Sequence, residues 1–232
     1  MSTTTLHYLH DPLCGWCYGA APLLKAAREL LPVQAHGGGM MAGPARRPVS
    51  PALRSFVLPH DRRIAQATGQ LFGEAYTDGL LRDPSAVLDS APPIAAMLAA
   101  QALAGRGLDL LARLQTAHYV EGRRIADRAV LEDLAQEIGL DRDAFAQALR
   151  EADGEPVQAH IAATRALMRR VGAQGFPTFV LERAGDWSVV DIGPFLGQPA
   201  AWVEWLRGHV AGEPSAAPDA VALHCGTDGC AV

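Results

Sequence analysis

The pattern of apolar and polar positions in the first forty residues predicts a strand, a helix and a second strand. Residues 6–10 form a short, mostly apolar run of strand length. The apolar positions from about residue 14 to residue 31 recur at helical spacing. Residues 33–36 form a second strand, which the three glycines at 37–39 close. This order predicts a parallel pair of strands with a right-handed connection.

The middle of the chain is predicted to be mostly helical. Residues 42–63 contain four prolines and several arginines, which favours loop with short helical pieces. From there to residue 171 almost every segment has helical periodicity. The predicted helices are residues 64–76, 92–104, 109–121, 130–138, 142–151 and 157–171.

Strands return after this helical region. Residues 178–181 predict a buried strand, and residues 186–191 predict its hairpin partner. Residues 199–210 carry an apolar helical face and predict a final helix.

The order of these elements predicts an α/β fold that an all-helical insertion interrupts. We expect residues 1–41 and 172–210 to form one domain and residues 42–171 to form the insertion. Residues 211–232 then form a C-terminal tail, and its first half is rich in alanine, proline, glutamate and serine. That composition is typical of a linker.

Two cysteines two residues apart, Cys14 and Cys17, stand between the first strand and the first helix. A helix N-terminus offers unpaired N–H groups that stabilise a thiolate, the reactive form of cysteine. We expect the backbone N–H groups of Gly15 and Trp16 to face the Cys14 sulfur. Cys17 lies one turn further on, where it can attack a mixed disulfide at Cys14, so the motif favours thiol–disulfide exchange.

Composition and charge narrow the class of protein. The chain has 232 residues, 49% of them hydrophobic, and a net charge of −5, which gives no reason to expect nucleic acid or an anionic membrane as partner. We expect no leader peptide and no transmembrane segment, and therefore a cytoplasmic protein. In a reducing compartment its four cysteines are not expected to be structural disulfides. The glycines at 37–39 lack the spacing of a phosphate-binding loop.

Two motifs resemble the DsbA-like family, whose members have a thioredoxin fold interrupted by a helical domain. One is Cys-Gly-Trp-Cys-Tyr-Gly at residues 14–19, and the other is Gly-Ala-Gln-Gly-Phe-Pro-Thr-Phe at residues 172–179. The resemblance implies a cis-proline at Pro177, facing the two cysteines. Phe176 would then present backbone groups that can pair with an extended substrate, as in strand addition. Trp16 either offers the substrate an apolar contact or packs on the insertion.

Three further segments resemble the FrnE-like branch, which includes relatives of 2-hydroxychromene-2-carboxylate isomerase. They are residues 11–19, 89–100 and 120–140, and the overall likeness covers residues 6–210. The branch usually has asparagine before the serine or threonine that opens the second segment, whereas this chain has Asp89. Any role of that asparagine amide is therefore not carried over.

His10 is the nearest histidine to the motif along the chain. As a cation near Cys14 it would stabilise a thiolate, whereas the alternative is a solvated or core histidine without a catalytic role.

The tail carries a second cysteine pair, Cys225 and Cys230. The linker before it has a reach of roughly 20 Å, so the pair can return to Cys14 as an accessory redox pair. The alternative is a tail whose cysteines are reactive but have no role. A zinc site built from all four cysteines is a further alternative, although the spacing of the tail pair is at the upper end for zinc.

The leading prediction is a thiol–disulfide oxidoreductase that reduces or isomerises protein disulfides. It would use disulfide-containing proteins or glutathione as partners, hold no metal and no cofactor beyond its redox-active disulfide, and exist as a monomer or a homodimer. The first alternative is a glutathione-dependent isomerase or transferase of small molecules, in whose relatives serine often replaces the first cysteine. The second alternative is a redox-sensing or metal-binding module.

Overall fold

The computed structural model describes residues 4–211. The strands in this part of the chain are β1 (Thr4–His10), β2 (Val33–Gly37), β3 (Arg47–Pro48), β4 (Val87–Leu88), β5 (Thr178–Arg183) and β6 (Asp186–Val190). The α-helices there are α1 (Gly15–Gly19), α2 (Ala21–Arg28), α3 (Pro51–Thr68), α4 (Ala91–Ala104), α5 (Gly107–Tyr119), α6 (Arg128–Glu137), α7 (Arg142–Ala152), α8 (Glu155–Val171) and α9 (Pro199–Ala211).

Four strands form the main sheet, in the order β2-β1-β5-β6. β1 pairs in parallel with β2, as the strand–helix–strand pattern predicts, and antiparallel with β5. β5 and β6 form the predicted hairpin. β1 is therefore a central strand, and its C-terminal end delivers the chain to the cysteine motif beside the start of β5.

The helix after β1 is broken, so the prediction of one helix from residue 14 to residue 31 is wrong. Ala20 ends α1 and begins α2 with φ −84° and ψ −3°. Pro22 explains the break, because in a continuous helix it could not donate a hydrogen bond to the Tyr18 carbonyl and its ring would clash there. The result is a five-residue redox helix, α1, which α2 follows directly.

The longest helix of the insertion, α3, lies where loop was predicted. Ser50 caps it, since its hydroxyl oxygen accepts a hydrogen bond from the Leu53 N–H at 3.1 Å. Gly69 ends it in the left-handed conformation, with φ 75°. The prediction of one helix at residues 64–76 is also wrong, because α3 ends at Gly69, inside that range. Pro59 lies on an exposed face of α3, where water can satisfy the carbonyl that its ring leaves unpaired.

The remaining predicted helices of the insertion are confirmed within about two residues at each end. The insertion also contains a short antiparallel pairing of β3 with β4, which the sequence pattern does not show.

One hydrophobic core runs from the main sheet into the insertion. On the sheet side, α9 packs against α2, and the buried indole N–H of Trp202 donates to the Leu23 carbonyl at 3.0 Å. On the insertion side, α3 packs closely on α1, because Gly15 and Gly19 leave room for the Ile64 side chain. Among residues 4–211 no helix is both long and apolar enough to span a membrane.

Candidate active site

The two cysteines of the motif lie at the N-terminus of α1 as free thiols. Cys14 is the N-cap residue, and its sulfur accepts a hydrogen bond from the Cys17 backbone N–H at 3.4 Å. The expectation that Gly15 and Trp16 would supply this contact is wrong, since a capping side chain reaches the third residue of the helix. The Cys14 thiol donates in turn to the Phe176 carbonyl at 3.5 Å.

Burial distinguishes the two sulfurs. Cys14 is 4% exposed, whereas Cys17 is fully enclosed. Burial raises the pKa of Cys17 well above its ordinary value, and the hydrogen bond and charge of Cys14 raise it further. Cys17 therefore holds its proton, and Cys14 is the sulfur that a substrate can approach.

The loop before β5 faces the motif. The peptide bond between Phe176 and Pro177 is cis, and both residues are half-buried. The Phe176 ring packs on the backbone at Gly38, where a Cβ atom would lie only 1.9 Å from the ring. Arg165 of α8 binds the carbonyl oxygens of Gly38 and Gly39 at 3.0 and 2.6 Å. The glycines at 37–39 thus support the loop opposite the cysteines.

Trp16 is half-buried and packs in part against the hydrophobic core. Its contact with substrate stays a prediction.

His10 belongs to the core. Its ring is fully buried and stacks on Tyr8 with centroids 4.9 Å apart. Burial lowers the pKa of His10 to about 3, so the ring is neutral at physiological pH. The alternative of a core histidine is confirmed, and a cationic role near Cys14 is excluded.

A fully buried carboxyl, Asp11, lies beside the motif. Its two oxygens accept hydrogen bonds from the Leu13 N–H at 2.9 Å, the Ser90 hydroxyl at 2.9 Å and the Met40 N–H at 2.6 Å. Burial raises the pKa of Asp11 to about 6, and these hydrogen bonds limit the rise. Asp11 joins the motif to the chain after β2 and to the start of α4. Asp89, the residue that departs from the FrnE-like pattern, also lies at the start of α4. Its carboxylate accepts a hydrogen bond from the Ala91 N–H at 2.9 Å.

Aromatic side chains of the insertion close one side of the redox helix. Tyr18 of α1 stacks on Tyr119 of α5 with centroids 4.8 Å apart and planes at 11°. Tyr76 packs edge-on to Tyr119.

The site contains a residue that sequence reasoning missed, Asp61. It lies on α3, where residues 42–63 were predicted to be mainly loop. Its Oδ2 accepts a hydrogen bond from the Tyr76 hydroxyl at 3.1 Å, and burial raises the pKa of Asp61 to about 7. Ser50 followed by Pro51, and Gly69 at the other end, are the start and stop signals that could have revealed this helix.

No group of three or more potential metal ligands occurs within residues 4–211. Cys225 and Cys230 lie outside the described residues, so the four-cysteine zinc alternative and the accessory redox pair are not tested by the structure.

Comparison with known proteins gives a consistent result. A model of the DSBA-like thioredoxin domain matches residues 5–193. Two structures of the cytosolic disulfide reductase DsbM from Pseudomonas aeruginosa, one of them with GSH, are 59% and 58% identical to the chain, with TM-scores of 0.85 and 0.84. Each covers 89% of this chain, and the matches cover 98% and 99% of DsbM.

A putative protein disulfide isomerase from Nitrosomonas europaea has the same fold, with a TM-score of 0.72 at 24% identity over 89% of this chain and 99% of that one. No protein with a curated description matches the sequence. The cysteine motif, the loop opposite it and the family match agree: this chain belongs to the DsbA-like thioredoxin family.

Proposed function

We propose that this protein is a cytoplasmic disulfide reductase that exchanges thiols with glutathione through Cys14 and Cys17. The observation that carries the proposal is the placement of the Cys14 sulfur between the Cys17 backbone N–H and the Phe176 carbonyl. The likeness to DsbM, a cytosolic disulfide reductase with a structure in the presence of GSH, supports the activity, the thiol partner and the location.

The reaction uses the two sulfurs in sequence. The Cys14 thiolate attacks one sulfur of a substrate disulfide, which forms a mixed disulfide and releases the other substrate sulfur as a thiolate. Cys17 then attacks the Cys14 sulfur, which releases the second substrate thiol and leaves an enzyme disulfide. Two glutathione molecules return the enzyme to the dithiol and leave as oxidised glutathione. The two electrons thus pass from glutathione to substrate without a bound cofactor.

The proton on Cys17 sets the order of these steps. The charge on Cys14 is one of the causes that raise the pKa of Cys17, and that charge disappears once Cys14 is in a mixed disulfide. Burial, the largest cause, stays in place, so the pKa of Cys17 falls only in part, and the resolving thiol becomes more reactive once substrate is attached.

The loop at Phe176 and Pro177 would hold the substrate. Backbone groups of residue 176 lie next to the Cys14 sulfur, where an extended segment carrying the attacked disulfide can pair with them. Disulfide-containing proteins and mixed disulfides of glutathione both present such a segment.

Equilibration of the full-length protein with glutathione buffers, followed by thiol trapping and mass spectrometry, tests the proposal. We expect one reversible two-electron couple between Cys14 and Cys17. The variant C14S should form no couple and should not reduce insulin, whereas C17S should accumulate a glutathione adduct on Cys14. A wild-type protein without a reversible couple, or insulin reduction that C14S leaves unchanged, contradicts the proposal.

A further inference from the structure

We propose that Asp61 of the insertion is the acid–base residue of the exchange, which takes the proton from a small thiol entering beside α1 and returns it to the departing Cys14 sulfur. The inference rests on the proposed function and assigns a reaction step to a side chain outside the cysteine motif.

Asp61 lies directly against the redox helix. The carboxyl is 6% exposed, and a side chain at Gly15, the residue after Cys14, would have its Cβ 3.2 Å from Asp61 Oδ1. The other oxygen, Oδ2, is held by the Tyr76 hydroxyl. Among the described residues no basic side chain forms an ion pair with Asp61. One oxygen is therefore fixed, and the other is left to exchange a proton beside the motif.

A groove leads from solvent to this carboxyl. It lies between α3 and the segment at residues 70–78, and its volume of about 380 Å³ is in the range of sites for small molecules. Asp61 lines it together with apolar side chains at Leu58, Leu71 and Phe72. Arg54 and Arg62 line it as well. Arg54 is paired with Asp78, whereas Arg62 has no ion-pair partner among the described residues and can bind a carboxylate of a thiol peptide such as glutathione.

The charges around Asp61 favour a proton exchange near neutral pH. Burial raises the pKa of the carboxyl to about 7, and the hydrogen bond from Tyr76 offsets part of the rise. Arg54 is engaged by Asp78 at 2.9 Å and by the Thr77 carbonyl at 2.9 Å. Ionisable groups lie on every element around Asp61: Arg54, His60, Arg62 and Arg63 on α3, Cys14, Cys17 and Tyr18 at the redox helix, Glu74, Tyr76 and Asp78 on the following segment, and His118 and Tyr119 on α5.

The step balances with the thiol as reductant. Asp61, as carboxylate, accepts the proton of the entering thiol, and the resulting thiolate attacks the outer sulfur of a mixed disulfide on Cys14. The bond between that sulfur and Cys14 breaks, and the Cys14 sulfur leaves with the electron pair. Protonated Asp61 then gives its proton to Cys14. The thiol and the outer group depart as a disulfide, and Asp61 is again a carboxylate.

The test is the pH dependence of the rate at which glutathione releases Cys14 from its mixed disulfide, measured on the full-length C17S protein. With Asp61 the rate should rise with pH through an inflection near pH 7 and level off above about pH 8, because the base is then almost fully ionised. In C17S/D61N the rate should be lower at pH 7 by on the order of 10²-fold. It should then keep rising toward pH 8.5 or so, because only the free thiolate of glutathione now attacks.

Two further variants separate catalysis from folding. Tyr76→Phe removes the hydrogen bond that lowers the pKa of Asp61, so it should move the levelling-off to higher pH. Glu74→Gln removes an exposed carboxyl on the same segment that does not line the groove, and it should leave the profile unchanged.

A profile of C17S/D61N that keeps the inflection near pH 7, at any overall rate, overturns the assignment. Failure of the C17S protein to form a glutathione adduct at all would instead contradict the proposed function.

Discussion

The Cys14 thiol donates a hydrogen bond to the Phe176 carbonyl, 3.5 Å away, although the two residues are 162 positions apart in the chain. The contact follows from the sheet. β1 and β5 pair antiparallel with Leu9 opposite Thr178, so the end of β1 and the start of β5 lie side by side. The motif after β1 and the loop before β5 must therefore meet at the same edge, whatever the length of the insertion between them.

Gly15→Ala should destabilise the protein by about 1–3 kcal/mol, since an added Cβ would lie 2.9 Å from Ile64 Cδ1 and overpack the contact between α1 and α3. In an open helix the same change would stabilise by about 0.5–1 kcal/mol, so the sign of the result is informative. Urea unfolding measures it. Ile64→Val removes the Cδ1 atom and should recover part of the loss in the double variant.

Gly79→Ala is the matched control, because nothing lies within 4 Å of a Cβ there and its φ is −96°. Equal stabilities of wild type and Gly15→Ala would show that α3 does not pack against the motif as described.

His10→Phe should make the protein less sensitive to acid. The pKa of His10 is 6.5 in the unfolded chain and is lowered to about 3 in the folded protein, so below pH 6.5 only the unfolded state gains the proton. Stability is therefore lost as the pH falls from 6.5 toward 3, by about 1.4 kcal/mol per pH unit. Between pH 7.5 and pH 5 the loss from this group is about 2 kcal/mol.

Phenylalanine keeps the stacking on Tyr8 and has no proton to bind. The difference in unfolding free energy between His10→Phe and wild type should thus grow by that amount over the same range, as urea unfolding at the two pH values would show. A difference that does not change with pH would mean that the ring is solvated.

Arg165→Lys should loosen the loop opposite the cysteines. A lysine can keep only one of the two hydrogen bonds to the Gly38 and Gly39 carbonyls, so we expect a loss of about 1 kcal/mol and slower reduction of insulin by Cys14. Arg169→Lys, an exposed change on the same helix, is the control. Identical insulin kinetics in both variants would remove the role given to Arg165.

Removal of the residues after Ala222 tests the prediction that Cys225 and Cys230 form an accessory redox pair. If the pair exchanges with Cys14, the truncated protein should show slower turnover with glutathione or a shifted reduction potential. Unchanged values for both would leave the tail cysteines without a redox role.

Much of the fold follows from local patterns. The helices from α4 to α8 and the hairpin of β5 and β6 have clear periodicity, uninterrupted by proline inside the helices, so their positions are confirmed closely. The helix α3 was missed because Pro59 stands in its interior, and proline argues against a helix unless that face is exposed to water. The break at Ala20 was missed because the apolar stripe continues through Pro22.

The site was predictable in part. Cys14 and Cys17 are recognisable from spacing alone, and Phe176 and Pro177 from the family resemblance. Asp61 depends on how α3 docks on Gly15, a contact between elements far apart in sequence, and no local pattern encodes it. Whether the His10 ring is charged also depends on its burial in the folded protein, and not on its distance from Cys14 along the chain.

The hydrogen bonds of Asp11 also constrain motion. One carboxyl holds the motif at Leu13, the chain after β2 at Met40 and the entrance of α4 at Ser90. The contact with Ser90 joins the sheet domain to the insertion, so a hinge between the two would have to break this buried hydrogen bond. A buried tie at the base of the motif therefore opposes a lid-like closing of the insertion over the cysteines.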